Sequence, residues 1–386
     1  MVTNTKRHTE ISVTDDSTNI TVFGPDPQVR ENYDETIKYI RDLELKMRGY
    51  APNEDTGPKP IASYRTVGKT NEDTDRTTLK DLSGNGHDIV LKNFGFTLGS
   101  GYGSYAIDFR SFSTKPSSSS ISASTVYYTV PVNSVVSVAT IVGFFFEKGE
   151  TLSMEVPSFV VDIESEIVED VYYNYITEDG VYKRIQMVNG RNVIPKSFAT
   201  LVTTKGLVGF TCRRVDDTTR GKSVLIKQIP EYEGALVFDG VDDYGICENF
   251  PALNDFTFVY KRINLNPSKS TNCFLSKSAS TNQAQQFCSE LAYSQNTYVR
   301  LGNKDIAIKD VYNPELSIVY VTKESYNGEM NLASSNYTST VDDLYIGTFS
   351  RGIQAYVWKG ALYAIDIYDR TLNSDELQIA LQNIEK

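Results

Sequence analysis

The stretches GALVFDGVDDYGICE (234–248) and KGALYAIDIYDRTLNSDEL (359–377) decide the fold of this chain. In the second stretch, Ile365 and Ile367 fall on one face of a pleat and Asp366 falls on the other. A period of two marks a strand whose two faces meet different surroundings. We therefore predict that each stretch contains a strand of an antiparallel sheet.

The end of the chain carries the signals of a short amphipathic helix. Asn373 and Glu376 have the spacing of a capping box, in which each side chain satisfies a backbone N–H at the start of the helix. Apolar residues then recur at helical spacing. These residues are Leu377, Ala380, Leu381 and Ile384.

Three stretches resemble laminin-G-like, concanavalin-A-type jelly-roll domains. LVFDGVDDY (236–244) resembles the strand that begins their main part, and GALYAIDIYDRTLNSDEL (360–377) resembles their last strand and helix start. DLSGNGHDIVLKN (81–93) resembles an early loop in which a tight turn precedes a strand. The resemblance implies a mainly β, concanavalin-A-like jelly-roll sandwich, a fold that serves many functions.

The middle of the chain is predicted to form a second, smaller β-sandwich inserted into the first. Residues 125–229 alternate between apolar and polar without a helical period, and Asp179-Gly180 predicts a tight hairpin. We assign 101–232 to this insert and 61–100 plus 233–386 to the jelly roll. Residues 1–60 are predicted to hold a short strand, a helix and a proline-containing linker.

The predicted N-terminal helix, 28–50, has an apolar stripe at heptad spacing. Such a stripe must be buried, so we expect a homotrimer, with a dimer as second choice. The alternative is a helix that packs on its own or a neighbouring domain. The seam residues are Tyr33, Thr36, Ile40, Leu43, Met47 and Tyr50.

The charge and hydropathy of the chain exclude several classes of partner. The formal net charge is −11, whereas nucleic-acid binding needs clustered Lys and Arg, so no nucleic acid is expected. No stretch approaches the roughly 18 apolar residues of a membrane helix. Residues 1–16 have no apolar run after their basic residues, so we expect no signal peptide and folding in a cytoplasm.

The cysteines do not indicate a metal site. Cys212, Cys247, Cys273 and Cys288 have no short CxxC spacing, and the chain has two His, which argues against zinc. We expect four free, buried thiols. The alternative is one disulfide, Cys273–Cys288, across a hairpin.

An enzyme is the first functional class to test, because laminarinase-type glycosidases use the jelly-roll fold. Their site is a strand reading Glu-x-Asp-x-Glu, which places three carboxylates on one face. In VVDIESE (160–166), Asp162, Glu164 and Glu166 share a face, but Val160 stands where the nucleophile is needed. We therefore expect a solvated strand face and no enzymatic activity.

Two binding sites are candidates. Asp239, Asp242 and Asp243 offer hard oxygen ligands for Ca²⁺, although Asp and Gly are also favoured in any polar turn. Trp358 and Tyr356 lie two residues apart, on one face, and could stack on a sugar. The alternative for Trp358, the only tryptophan, is a place in the core.

A second resemblance concerns the function. NVIPKSFATL (192–201), followed by GLVGFTC, is similar to segments of fibre- or decoration-type virion proteins of Bacteroidetes (crAss-like) bacteriophages. There a small sandwich also precedes an LxxDGVDDY strand. The resemblance implies a head or tail fibre or decoration subunit that joins other virion proteins through its N-terminal segment. Its lectin-like module would contact host surface glycans. The alternatives are a free or cell-surface carbohydrate-binding protein and, third, a glycan hydrolase.

Overall fold

The computed structural model describes residues 57–116, 119–130, 132, 142–146, 155–198, 208–212, 218–266, 271–277, 285–293, 296–308, 313–328, 337–349 and 356–385. The predicted N-terminal strand and the 28–50 helix lie outside these residues. So do the six seam residues of that helix: Tyr33, Thr36, Ile40, Leu43, Met47 and Tyr50.

The described residues form strands and one α-helix. The first four strands are β1 (Ala62–Arg65), β2 (Thr78–Leu79), β3 (Ile89–Lys92) and β4 (Gly101–Tyr102). The next nine are β5 (Ser119–Ile121), β6 (Thr125–Thr129), β7 (Val142–Phe146), β8 (Phe159–Ser165), β9 (Val171–Ile176), β10 (Tyr182–Gln186), β11 (Gly190–Ile194), β12 (Val208–Cys212) and β13 (Ser223–Ile229). The last are β14 (Leu236–Asp239), β15 (Tyr244–Phe250), β16 (Thr257–Asn264), β17 (Asn272–Lys277), β18 (Phe287–Tyr293), β19 (Asn296–Leu301), β20 (Lys304–Ile308), β21 (Asn313–Thr322), β22 (Asp342–Ile346) and β23 (Lys359–Tyr368), followed by α1 (Ser374–Asn383).

Two antiparallel sheets form the jelly roll, and the predicted mainly β sandwich is confirmed. One sheet has the order β21-β16-β23-β14-β4, with β1 also paired to β23, and the other has the order β2-β3-β15-β22-β17-β18-β19-β20. Their facing side chains form one core, which includes Phe238, Phe274, Trp358 and Ile365. Strand β4 pairs with β14, so the jelly-roll sheet extends two residues past the predicted boundary at residue 100.

The insert has its own pair of sheets and its own core. The sheets have the orders β10-β9-β12-β7 and β11-β8-β13-β6-β5, and the core between them includes Tyr173 and Phe210. Asp179-Gly180 lies in the β9–β10 hairpin, as predicted, where Gly180 has a φ of +77°. This left-handed conformation favours glycine.

The two segments that join the insert to the jelly roll run side by side and are hydrogen-bonded to each other. Gly103 N–H donates to the Ala235 carbonyl oxygen (2.9 Å), and Tyr232 N–H donates to the Gly103 carbonyl oxygen (2.8 Å). Nearer the insert, the Gln228 side-chain oxygen accepts from Ala106 N–H at 2.9 Å. The insert is therefore attached by a paired ribbon.

The loop 81–93 is organised by one carboxylate. Asp81 Oδ1 accepts from the backbone N–H of Ser63 (3.0 Å) and of Ser83 (2.9 Å), and Asp81 Oδ2 accepts from His87 N–H (3.0 Å). Burial opposes ionisation, but these hydrogen bonds prevail and lower the pKa of Asp81. Asp81 thus links the SGNG turn (residues 83–86) to β1 through hydrogen bonds.

Helix α1 begins as the sequence predicts. The Asn373 side chain accepts from Glu376 N–H, and Glu376 accepts from Asn373 N–H, which completes the capping box. The helix packs its apolar residues on the outer face of the β21-β16-β23 sheet. Arg65 pairs with the buried Asp366 at 2.8 Å and also donates to the Asn383 carbonyl oxygen at the helix C-terminus. Strands β1 and β23 and helix α1 are thereby held together.

One buried ion pair lies between the two jelly-roll sheets. Arg262 on β16 and Glu290 on β18 approach to 2.6 Å and are 2% and 0% exposed. Glu290 also accepts hydrogen bonds from the hydroxyls of Tyr260 (3.0 Å) and Tyr326 (3.3 Å) and from the Asn264 amide (3.3 Å). Burial alone would lower the pKa of Arg262, but the Glu290 carboxylate raises it. The pair therefore stays charged inside the sandwich.

All four cysteines carry buried thiols and none is in a disulfide, which agrees with the expected reduced thiols. Cys273 and Cys288 pack together beneath Phe349 and Tyr356. Burial and a hydrogen bond with Cys273 raise the pKa of Cys288 well above its ordinary value. In the described part of the chain, no helix has the length and apolarity that a membrane crossing requires.

Candidate functional site at one end of the jelly roll

Both predicted binding sites lie at one end of the jelly roll, which we call the rim (residues 239–243, 347–349 and 356–359). Asp239 ends β14 and pairs with Lys359 at the start of β23. Trp358 N–H donates to the Gly347 carbonyl oxygen at 2.9 Å. A Cβ built on Gly347 would lie 3.0 Å from the Asp243 carbonyl oxygen. Three chain segments therefore meet here.

The acidic turn of the rim brings three carboxylates together. One oxygen from each of Asp239, Asp242 and Asp243 lies within 4.8 Å of the others. Asp243 is buried, and its oxygens accept from Asp239 N–H and from the Ser100 hydroxyl, each at 3.0 Å. Burial is the main cause that raises the pKa of Asp243 to about 7, and the two neighbouring carboxylates add to the rise.

The three carboxylates of the acidic turn are ligands of the type that a hard cation prefers. Carboxylate oxygens are the ligands that Ca²⁺ prefers, and a divalent charge would offset the mutual repulsion of Asp239, Asp242 and Asp243. One of these carboxylates also accepts a hydrogen bond from the backbone of the turn itself, because Asp239 Oδ1 accepts from Val241 N–H at 2.7 Å. Calcium binding at the acidic turn stays a prediction.

Trp358 cannot be a sugar-stacking residue, so that prediction is wrong. Its side chain is 0% exposed. The indole packs on Phe238 (ring centroids 5.2 Å apart) and on Phe274 (4.8 Å). The missing side chain of Gly360 makes room for it, because a Cβ there would lie 2.3 Å from Trp358 Cζ2. Trp358 lies in the jelly-roll core beneath the rim. The alternative interpretation, that Trp358 is a core residue, is correct.

Tyr356 lies at the surface, in contact with another aromatic residue. Its half-buried ring packs on the half-buried ring of Phe349, with centroids 5.4 Å apart and planes inclined by 40°. Beneath the two rings lie Cys273, Cys288 and Leu291. The pair therefore has a fixed apolar base.

A two-point ion pair borders the ring of Phe349. Arg300 Cζ lies 5.8 Å from the centroid of Phe349. The same guanidinium contacts Asp305 through two parallel hydrogen bonds, Nε to Oδ1 at 2.5 Å and Nη2 to Oδ2 at 2.7 Å. We call Phe349, Tyr356, Arg300 and Asp305 the aromatic platform.

Sequence reasoning missed Phe349, Arg300 and Asp305. A local signal for the ion pair was present, because Gly302-Asn303 is a two-residue turn that places Arg300 opposite Asp305 in the β19–β20 hairpin. No comparable sequence signal places Phe349 beside this hairpin. The pairing of β17, β18, β19 and β22 in one sheet brings Phe349 and the hairpin together.

The carboxylates of VVDIESE lie elsewhere, on the exposed outer face of an insert sheet. Asp162 on β8 stands opposite Arg191 on β11 and Lys227 on β13. Glu166 pairs with Lys222 at 3.0 Å. Exposed carboxylates placed opposite or paired with cations are typical of a solvated strand face.

No family model and no curated protein matches the chain. Several solved structures are similar to part of it. The Trypanosoma rangeli sialidase in complex with 2,3-difluorosialic acid is 15% identical over 41% of this chain and 28% of its own, with a TM-score of 0.31. Domain 4 of a GH43 extracellular arabinanase from Geobacillus stearothermophilus, in complex with arabinotriose, is 9% identical over 39% of this chain and 78% of its own, with a TM-score of 0.31.

A mutant of the Trypanosoma rangeli sialidase displaying trans-sialidase activity is also similar, with 17% identity over 39% of this chain and a TM-score of 0.30. The chain spans 28% of the length of the sialidase chains that it matches. These structures come from glycoside hydrolases. They contradict the prediction that the chain is not an enzyme.

Proposed function

We propose that the jelly roll binds glycans at the rim, with the aromatic platform as the contact surface. The observation that carries this proposal is a half-exposed aromatic pair bordered by a two-point ion pair. The C–H faces of a sugar ring pack on aromatic rings. Guanidinium and carboxylate groups donate to and accept from the hydroxyls at its edge. The platform offers both kinds of contact side by side.

Glycan-array binding followed by calorimetry tests this proposal on the full chain. Tyr356→Ala is expected to weaken binding by about tenfold or more, since a stacked aromatic contributes up to about 1.5 kcal/mol beyond its buried area. Tyr363→Ala is the matched control, because Tyr363 is also half-buried but lies in another cluster, beside Ile263 and Ala361. Equal affinities for the Tyr356→Ala and unchanged proteins would refute the platform.

We further propose that this glycan-binding module belongs to a phage virion, as a fibre or decoration subunit. The sequence resemblance of residues 192–201 and 236–244 supports this proposal. The competing proposal is a free or cell-surface carbohydrate-binding protein. Mass spectrometry of purified virions separates the two. Peptides of this chain in washed particles support the virion role, and their absence from particles of an expressing phage contradicts it.

A further inference from the structure

We infer that Arg300 is a positioning residue for the aromatic platform, which holds Phe349 and, through it, Tyr356 in the orientation that a sugar meets. The inference rests on the proposed glycan binding for its purpose. Its physical content is a chain of contacts that runs from Asp305 through Arg300 and Phe349 to Tyr356. Each link is a contact already described.

The first link fixes the guanidinium. Arg300 and Asp305 are directly opposite each other in the β19–β20 hairpin, so the backbone register sets their separation. Two parallel hydrogen bonds, 2.5 and 2.7 Å long, then define the plane of the guanidinium. Arg300 also donates to the side-chain oxygen of Gln286 at 3.3 Å. These two hydrogen bonds to Asp305 fix the orientation of the guanidinium, whereas a single hydrogen bond would leave it free to turn.

The second link fixes the phenyl ring of Phe349. Its backbone is held by the buried Ser276, whose hydroxyl donates to the Phe349 carbonyl oxygen at 2.6 Å. Its ring is contacted by Arg300 (5.8 Å from Cζ to the centroid) and by Tyr356 (5.4 Å between centroids). Ser276 and Arg300 belong to one cross-strand row, since both are paired with Cys288. One row of the sheet therefore carries both supports of Phe349.

The chemistry of this arrangement is specific to arginine. A lysine at position 300 would keep the positive charge, but its ammonium is a point charge that forms no pair of parallel hydrogen bonds and has no plane to lie against a ring. Arg300→Lys is therefore expected to loosen Phe349 and Tyr356 while it conserves the charge of the aromatic platform. The substitution Arg300→Lys therefore distinguishes a positioning role of Arg300 from electrostatic attraction of the ligand.

A double-mutant cycle with glycan affinity as its readout tests the inference. Arg300→Lys is expected to weaken binding about three- to tenfold, the size of a lost aromatic stacking arrangement. In the Tyr356→Ala background the same substitution is expected to change the affinity little, because lysine still offers a donor to a sugar hydroxyl and the ring that Arg300 positions is gone. Additive losses would show that Arg300 acts independently of Tyr356 and would overturn the inference. An unchanged affinity for Arg300→Lys would also overturn it.

A second measurement needs no glycan. The nitration rate of Tyr356, read by peptide mass spectrometry on the full chain, reports how firmly its ring is held. Arg300→Lys is expected to raise this rate at least about threefold by increasing local opening. Arg110→Lys is the matched control, because Arg110 forms an equivalent two-point pair with Asp108 in the insert. An unchanged rate overturns the inference even when no glycan is bound, whereas an absence of glycan binding refutes only the proposed function.

Discussion

Replacing Glu290 by Gln is expected to lower the free energy of unfolding of the jelly roll by about 3–5 kcal/mol, the cost of removing one partner from a buried ion pair. The burial of this ion pair places the expected loss of unfolding free energy among the largest effects of single substitutions. Arg262 is 2% exposed. Glu290 accepts from it at 2.6 and 3.1 Å. The glutamine amide would leave the guanidinium buried without a counter-charge and would disturb the hydrogen bonds from Tyr260 and Tyr326.

The assay is urea unfolding followed by tryptophan fluorescence. Trp358 is the only tryptophan of the chain and lies in the same core as Tyr260, so its emission reports the jelly roll and not the insert. With a urea m-value of about 2 kcal/mol/M, the loss corresponds to a midpoint lower by roughly 1.5–2.5 M.

The matched control is Glu376→Gln. Glu376 also makes a two-point pair with an arginine, Arg370, at 2.6 and 2.7 Å, but at the surface. Glutamine also conserves the capping box, so the midpoint is expected to stay unchanged. Equal shifts for the two variants would refute the reasoning from burial. Replacing Arg262 and Glu290 together by apolar residues should recover part of the loss, because no unpaired charge then remains.

Three other predictions concern pH, calcium and assembly. Because the pKa of Asp243 is raised to about 7 in the folded chain, from 3.8, its contribution to jelly-roll stability should fall as the pH rises from about 4 to 7 and then level off. In urea titrations, Asp243→Asn should therefore gain stability relative to the unchanged chain over this range, and a constant difference between the two proteins would contradict the assignment. If Ca²⁺ binds the acidic turn, millimolar Ca²⁺ at pH 8 should raise the midpoint of the unchanged chain but not of Asp243→Asn, and equal responses would exclude Asp243 as a ligand. Light scattering should give a homotrimer for the full chain and a monomer for a chain beginning at Ile61, whereas a trimer that survives the deletion would place the interface in residues 61–386.

The features that the sequence predicted correctly depend on residues close to one another along the chain. Asn373 and Glu376 cap α1 because both halves of the capping box lie within one helical turn. Asp179-Gly180 forms its hairpin because Gly180 adopts a positive φ that the turn requires. Period-two alternation likewise located β14 and β23. Each of these signals is local and needs no knowledge of the partner strand.

The errors concern contacts between distant residues. Trp358 and Tyr356 share a strand-like face in the sequence, yet Trp358 is covered by Phe238 and Phe274, from other strands, whereas Tyr356 stays at the surface. The aromatic platform joins the β19–β20 hairpin to Phe349, which follows β22. Only the order of the strands in the sheet brings these residues together, and this order is not encoded in any short stretch.

The pairing of β1 with β23 gives the jelly roll a polarity. Ala62, where the chain enters the sheet, lies opposite Ile367, near the end of β23, whereas Lys359 at the start of β23 belongs to the rim. At about 3.3 Å per residue, the entry point and the rim are roughly 26 Å apart along this strand. A surface that holds the domain through the residues before β1 therefore holds it by the end farther from the rim. The rim, where we propose that glycans bind, therefore lies at the opposite end of β23 from the residue that pairs with Ala62.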